Sequence, residues 1–364
     1  MIETRSTTRR RLLVVGILMA VAVTGLSTAG GTASANGGHG FRQINLVSDL
    51  AGKAMIRDKA LVNPWGLAAG PTTPLWVSDN GSNKATLYAG ATGGMPVSKV
   101  PLTFNVAKGA PTGQVFNGGN GFKITAGGMR LPARFIFDSE AGTVSAWTLT
   151  NPIQMTAHTQ LRVPGAIFKG LAIGTFRGAP ALYAADFGNG RVWVINTHFQ
   201  PESTPNAFMD PTLPSNYSPF GIQSIGKWVV VSYGEQVPGS GDEADGPHLG
   251  FVDLYTHNGK FVRRIASHGA LNAPWGLVKA PMGFGRFSGD LLVGNFGDGR
   301  INAYSFAGTH EGSLRHPDGG PIQIDGLWGL RFGNGTFAGH GDLIFSAGID
   351  DEAHGLLGLI RHAG

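Results

Sequence analysis

A five-residue motif that returns along the chain at nearly constant spacing limits the possible folds more than any other feature. Asn63-Pro64-Trp65-Gly66-Leu67 reappears as Ala273-Pro274-Trp275-Gly276-Leu277, with weaker copies at Ser218-Pro219-Phe220-Gly221-Ile222, Leu327-Trp328-Gly329-Leu330 and Phe168-Lys169-Gly170-Leu171. Counted glycine to glycine, the steps from Gly170 to Gly221, Gly276 and Gly329 are 51, 55 and 53 residues, and Gly66 to Gly170 is 104. The long step holds two units, and Pro111-Thr112-Gly113-Gln114-Val115 is the candidate for the hidden copy, making six. Self-similarity at this period marks a repeat architecture.

A second motif follows the first. Leu182–Val192, with Asp186-Phe187-Gly188-Asn189-Gly190-Arg191 at its centre, matches Leu291–Ile301, with Asn295-Phe296-Gly297-Asp298-Gly299-Arg300. Leu75–Lys84 and Phe135–Val144 are looser copies. Each reads as a short apolar strand, a Gly/Asn/Asp turn and a return strand, which is a β-hairpin. Four short strands per unit of roughly 40–50 residues is propeller spacing. Glycine, 58 of 364 residues, fits a chain full of tight turns, and no apolar run with helical period occurs after the N-terminal segment. With 42% hydrophobic and 14% charged residues the chain can fill a core, so general disorder is excluded.

These hairpins resemble the NHL-type repeat, and the set Asn63–Leu67, Ser78–Asn83, Val293–Gly299 and Asp350–Leu356 resembles a family of exported NHL-like propeller proteins of unassigned function. The resemblance spans about residues 41–362. It implies an all-β, six-bladed β-propeller and supplies no catalytic residue. The last unit has only three strands of its own after Trp328. An open strand edge must be covered, and the alternating segment Arg42–Val47 is predicted to supply the missing outermost strand and close the ring.

Residues 1–35 read as an export signal, leaving 36–364 as one propeller domain. Thr8-Arg9-Arg10-Arg11 precedes an apolar stretch from Leu12 to about Ala29, and Ala33-Ser34-Ala35 offers a cleavage site. The paired arginines resemble a twin-arginine signal, with an ordinary secretory signal as the rival. The expected location is secreted or periplasmic, with no transmembrane helix once the signal is removed. Taking away Arg5, Arg9, Arg10, Arg11 and Glu3 reduces 28 basic and 23 acidic residues to 24 and 22. A nearly neutral chain lacks the electrostatic footprint of a nucleic-acid binder.

The absence of cysteine excludes disulfides, thiolate zinc sites and a thiol nucleophile. No Gly-x-Ser-x-Gly elbow or phosphate-binding Gly-x-x-x-x-Gly-Lys-Ser/Thr is present. The repeated turn residues Asp79, Asp138, Asp186 and Asn295 read as hairpin closers. Trp65, Phe220, Trp275 and Trp328 read as wedges between neighbouring blades, with a platform at the channel mouth as the lesser alternative. Lys169 stands at the equivalent aromatic position of its own repeat, so it is either exposed or functional.

Two loops break the symmetry and are expected on one rim. Gly234–His248 carries Asp242, Glu243, Asp245 and His248; Asp350–His354 carries Asp351, Glu352 and His354. With Lys169 these are the candidate ligand-binding residues. Asp242, Asp245, Asp351 and Glu352 are the candidate donors for a divalent cation, calcium or similar. Six-bladed lactonases place Glu, Asn and Asp on a channel metal; this chain offers Asn63 there but no matching Glu. The leading functional expectation is a monomeric binding module for an extracellular ligand, polymer or protein. The alternative is a metal-assisted hydrolase or lyase with His248 or His354 as general base.

Overall fold

Strands whose two faces are both buried recur through the protein. In the second strand of four sheets, Leu75–Asp79, Phe135–Ser139, Leu291–Asn295 and Leu343–Ala347, all five residues are buried. Such strands read as continuous apolar runs because each sheet is covered on both faces. The structure, a computed structural model, describes residues 40–107 and 109–363. The expected export signal lies outside the described residues.

The fold is all-β; among the described residues the only helical pieces are single 3₁₀ turns at Asn80–Ser82 and Gly285–Phe287. Among the described residues, six antiparallel groups that each open with a copy of the repeat motif follow one another along the chain, and a separate hairpin, Lys123–Ala126 with Met129–Pro132, lies within the second. The first runs Pro64–Ala68, Leu75–Asp79, Lys84–Ala89, Ser98–Val106. The second runs Pro111–Phe116, Phe135–Ser139, Thr143–Trp147, Thr156–Arg162, so the hidden copy at Gly113 does begin a strand of this kind. A parallel contact of Thr156 and Ala157 with Asn105 and Val106 joins the two outer strands.

The third has three strands, Phe168–Phe176, Ala179–Asp186 and Arg191–Asn196. Instead of a fourth, the connector bends back, with the Glu202 N–H donating to Val194 O. The fourth runs Tyr217–Ile225, Trp228–Gln236, Phe251–Thr256, Phe261–Ser267. The fifth runs Pro274–Lys279, Leu291–Asn295, Ile301–Tyr304, His310–Ser313.

The last group, Leu327–Phe332, Leu343–Ala347 and Leu356–His362, takes its outer strand from the start of the described chain. Phe41–Ser48 pairs antiparallel with Leu356–His362, from Phe41 opposite His362 to Ser48 opposite Leu356, with a bulge between Asn45 and Val47. The Ser48 hydroxyl donates to Gly355 O at 2.7 Å, fixing the end of that register.

Apolar clusters fill the space between successive groups. Trp76 and Phe104 of the first meet Phe135 and Trp147 of the second; Val115 and Ile136 meet Leu171 and Leu182. Tyr183 and Val194 meet Ile222 and Tyr233; Leu254 meets Leu277 and Leu291; Leu292 and Ile301 meet Leu330 and Phe345. The sixth cluster returns to the beginning, placing Ile344 and Leu359 against Leu75 and Val77.

The motif glycines explain why the first strands approach so closely. A Cβ on Gly66 would stand 2.4 Å from Thr112 O, on Gly113 2.1 Å from Leu171 N and on Gly170 3.0 Å from Phe220 O. On Gly221 it would stand 2.0 Å from Trp275 O, on Gly276 2.5 Å from Trp328 O and on Gly329 2.5 Å from Trp65 O. A side chain at any of these sites would push a neighbouring strand away, so the periodic glycine is a packing requirement.

Candidate functional site

The aromatic residues just before those glycines gather rather than separating into individual wedges. Trp65, Phe220, Trp275 and Trp328 form one buried cluster with Phe187 and Ala273, and Phe296 packs on it. Trp65 stacks on Trp328 with ring centroids 3.5 Å apart, and Trp275 meets both edge-on at 5.8 and 5.6 Å. Next to the cluster, a cavity of about 50 Å³ is lined by motif-strand residues, among them Gly66, Gln114, Gly170, Gln223, Trp275 and Leu330. The Gln114 amide nitrogen donates to Gly66 O and Trp76 O, which fixes the amide orientation and leaves its carbonyl oxygen with no protein partner.

Lys169 is buried, which removes the exposed alternative. Its ammonium lies 2.7 Å from Glu140 Oε1 and 3.4 Å from Glu243 Oε2. It also sits 5.2 Å from the Trp65 ring centroid and 5.8 Å from that of Phe187. Burial alone would lower its pKa, but Glu243 and Glu140, with Asp242 further off, outweigh that and raise it above the ordinary lysine value. Lys169 is therefore a fixed cation, unsuited to act as a neutral amine nucleophile. Its backbone carbonyl accepts from Trp275 Nε1 at 2.7 Å, so the residue is tied to the cluster at both ends.

The Asp350–His354 loop reaches the same cluster by another route. Glu352 Oε2 accepts from Asn63 Nδ2 at 2.8 Å, and Asn63 Oδ1 accepts from Trp328 Nε1 at 3.0 Å. Asp350, Asp351 and Glu352 have φ of 55°, 53° and 66°, three consecutive non-glycine residues in the left-handed region. Each costs roughly 1–2 kcal/mol there, and such strain persists only where the surroundings over-determine it. Here the Glu352 N–H donates to Gly348 O, Ala353 N–H to Asp350 O and His354 N–H to Ile349 O. Asp49 accepts from His354 Nδ1 at 2.7 Å and from the Gly355 N–H at 2.9 Å.

The remaining candidates have separate attachments. His248 donates through Nδ1 to Gly269 O at 2.6 Å, and His268 donates to His248 O. Asp242 accepts at its carbonyl from the Val237 N–H, and Asp245 lies beside Gly297 of the next hairpin. Asp351 is exposed. Among the described residues no group of three or more His, Asp or Glu side chains could hold a metal ion. Asp242, Asp245, Asp351 and Glu352 thus form no such donor set, and a divalent cation does not fit them as a group.

Of the repeated turn residues, Asp186 closes its hairpin as expected: its carboxylate accepts from the Ile167 and Asn189 N–H groups, Asn189 Nδ2 and Trp193 Nε1. Asp138 reaches inward, accepting from the Thr112 hydroxyl and the Gly113 N–H with one oxygen while the other has no hydrogen-bond partner. Burial pushes its pKa up to about 7, against the opposing effect of those two bonds. Nothing in the two loops' own sequence names Glu140 and Asn63 as their partners. Glu140 lies in an ordinary-length turn, and nothing local marks it; Asn63 does stand inside the repeat motif.

No family model matches the chain. Among solved structures, virginiamycin B lyase from Staphylococcus aureus matches with a TM-score of 0.50 at 14% identity, over 88% of this chain and 98% of that one. A streptogramin B lyase matches with a TM-score of 0.51, also at 14% identity, over 89% and 98%. These likenesses show a propeller-like fold. By sequence, an uncharacterized protein of Acanthamoeba polyphaga mimivirus is 31% identical over 325 residues, covering 86% of this chain and 78% of its own. A second uncharacterized protein of that virus is 31% identical over 319 residues, covering 83% and 81%. With such identity over most of both partners, the chain belongs to the same family as these mimivirus proteins.

Proposed function

We propose that the chain is an exported, monomeric binding module: a six-bladed propeller with NHL-type blades, closed by Phe41–Ser48, whose ligand seats at the mouth of the central channel. The observation that carries this reading is the convergence of both asymmetric loops on one aromatic cluster. Glu243 arrives through Lys169 against Trp65, and Glu352 through Asn63 against Trp328. Loops positioned on a rigid scaffold are where binding residues concentrate, and the left-handed run at Asp350–Glu352 fits a loop whose shape is set by its role. The ligand is an extracellular polymer, peptide or protein touching Glu140, Asp242, Glu352 and His354, with buried Lys169 and Glu243 holding that surface in place.

The lyase activity named for the structural neighbours supports no step here. A metal-assisted hydrolase or lyase would need a donor group that the described residues do not assemble, and His354 is engaged with Asp49.

The test is binding of the mature chain to a polysaccharide, a peptidoglycan preparation and an unstructured polypeptide, read by tryptophan emission and co-sedimentation. One of the three is expected to bind, and Glu352→Gln with Glu140→Gln is expected to weaken it at least tenfold. Binding unchanged in that double variant would move the site elsewhere. Cleavage of a probe that stops on chelation would favour the enzyme reading.

A further inference from the structure

Methionine is among the residue types most often buried, and it commonly fills irregular gaps in cores. In this protein every described methionine is exposed. Met282 is 85% exposed, Met55, Met95, Met129 and Met209 more than half, and Met155 36%. The buried hydrophobic residues include Leu, Ile, Val, Phe, Tyr, Trp and Ala but not one Met. Met155 comes just before Thr156–Arg162 and Met129 begins Met129–Pro132. Met55, Met95, Met209 and Met282 lie outside regular strands. Hairpin turns account for only some of these positions, so turn chemistry alone does not explain the segregation.

We propose that these six methionines are modification sites, forming a reversible sink for two-electron oxidants of the hypochlorous acid or peroxide class. A thioether sulfur takes the oxygen of HOCl: an S–O bond forms, the O–Cl bond breaks, and sulfoxide, a proton and chloride result. The sulfur loses the two electrons that the oxidant gains. A reductase with two thiol equivalents reverses the step, giving thioether, disulfide and water. Two features make the chain suited to this chemistry. It has no cysteine, so no thiol within it competes for the oxidant. Each sulfoxide would form in water, whereas the same polar group in a core would disrupt packing. Loss of the sink would expose the half-buried Trp193 and Trp228 to oxidant that the thioethers otherwise consume.

The experiment titrates the folded full-length chain with hypochlorous acid and follows peptide mass maps, tryptophan emission and the melting midpoint. All six sites should convert to sulfoxide within about eight equivalents, one for each methionine of the full-length chain, with tryptophan unmodified and the midpoint unchanged. Methionine sulfoxide reductase should then restore the original masses. In the variant with Met55, Met95, Met129, Met155, Met209 and Met282 each changed to Leu, tryptophan modification should begin after about two equivalents, once Met1 and Met19 are consumed. The inference is overturned if any of the six stays reduced while tryptophan reacts, if oxidation lowers the midpoint, or if the reductase leaves the sulfoxides in place. An identical tryptophan-loss curve for variant and parent also overturns it. The mapping and melting arms use the parent chain and do not depend on the variant folding.

Discussion

Replacing Lys169 with methionine keeps most of the length of the side chain and removes its charge. Glu243, whose side chain is 1% exposed, then loses the cation 3.4 Å away, while Glu140, 30% exposed, can turn to water. Breaking a buried pair by removing one partner costs about 3–5 kcal/mol, because the charge left behind is uncompensated. Unfolding entropy of about 2.1 cal/mol/K per residue gives roughly 0.7 kcal/mol/K for a body of about 320 residues, so the midpoint should fall by about 4–7 °C. Scanning calorimetry of Lys169→Met at neutral pH measures this directly. Adding Glu243→Gln removes the stranded charge, and replacing both partners is far less damaging than removing one. The double variant should therefore recover more than half of the loss. A single variant within about 1 °C of the parent, or a double variant no better than the single, would refute the view that this pair is a buried tie.

Other expectations follow from the same geometry. Asp138 holds its proton up to about pH 7 in the folded protein but only to about its ordinary value, 3.8, when unfolded. Between those pH values the folded state binds more protons, so stability falls as pH rises and stays reduced above 7. Asp138→Asn keeps an acceptor for Thr112 and Gly113, so its stability should decline less from pH 4 to 7 and exceed the parent at pH 8; parallel denaturant titrations with the same slope would contradict this. Gly221→Ala places a Cβ 2.0 Å from Trp275 O and should cost at least about 1–3 kcal/mol. Gly341→Ala, with open space around it, should change stability by less than about 0.5 kcal/mol. Deleting residues 41–48 exposes the whole Leu356–His362 edge and should yield aggregating or unfolded protein by size-exclusion chromatography; a monodisperse folded product would argue against closure by this strand.

The architecture was legible because its two requirements leave marks in the sequence. A glycine is needed wherever a first strand presses on its neighbour, and that need recurs with the repeat, from Gly66 against Thr112 O to Gly329 against Trp65 O. Polar turn residues likewise recur where hairpins close, as Asp186 does with four donors. The strand Phe41–Ser48 was legible for a different reason: the last unit was one strand short, and an unpaired edge needs a partner. The third group, ending in a bent connector instead of a fourth strand, was not legible, because the Glu202 to Val194 contact belongs to no periodic pattern.

The candidate site was only half legible, and the reason lies in how contacts are made. The loops stood out by composition, which identified Glu243 and Glu352 but not what they would touch. Their partners come from positions far away in sequence: Lys169 is 74 residues from Glu243, and Asn63 is 289 from Glu352. Composition also suggested that nearby carboxylates act together, whereas Glu243 and Glu352 each face a separate neutralising or hydrogen-bonding partner, and no three donors assemble. A carboxylate already committed to a buried ammonium cannot also serve a cation without giving up that contact and leaving Lys169 with Glu140 alone. The arrangement that makes Glu243 conspicuous in sequence therefore argues against its use as a metal ligand. The half-buried Glu352, which lends one oxygen to Asn63, becomes the carboxylate of this pair better placed to meet an incoming ligand.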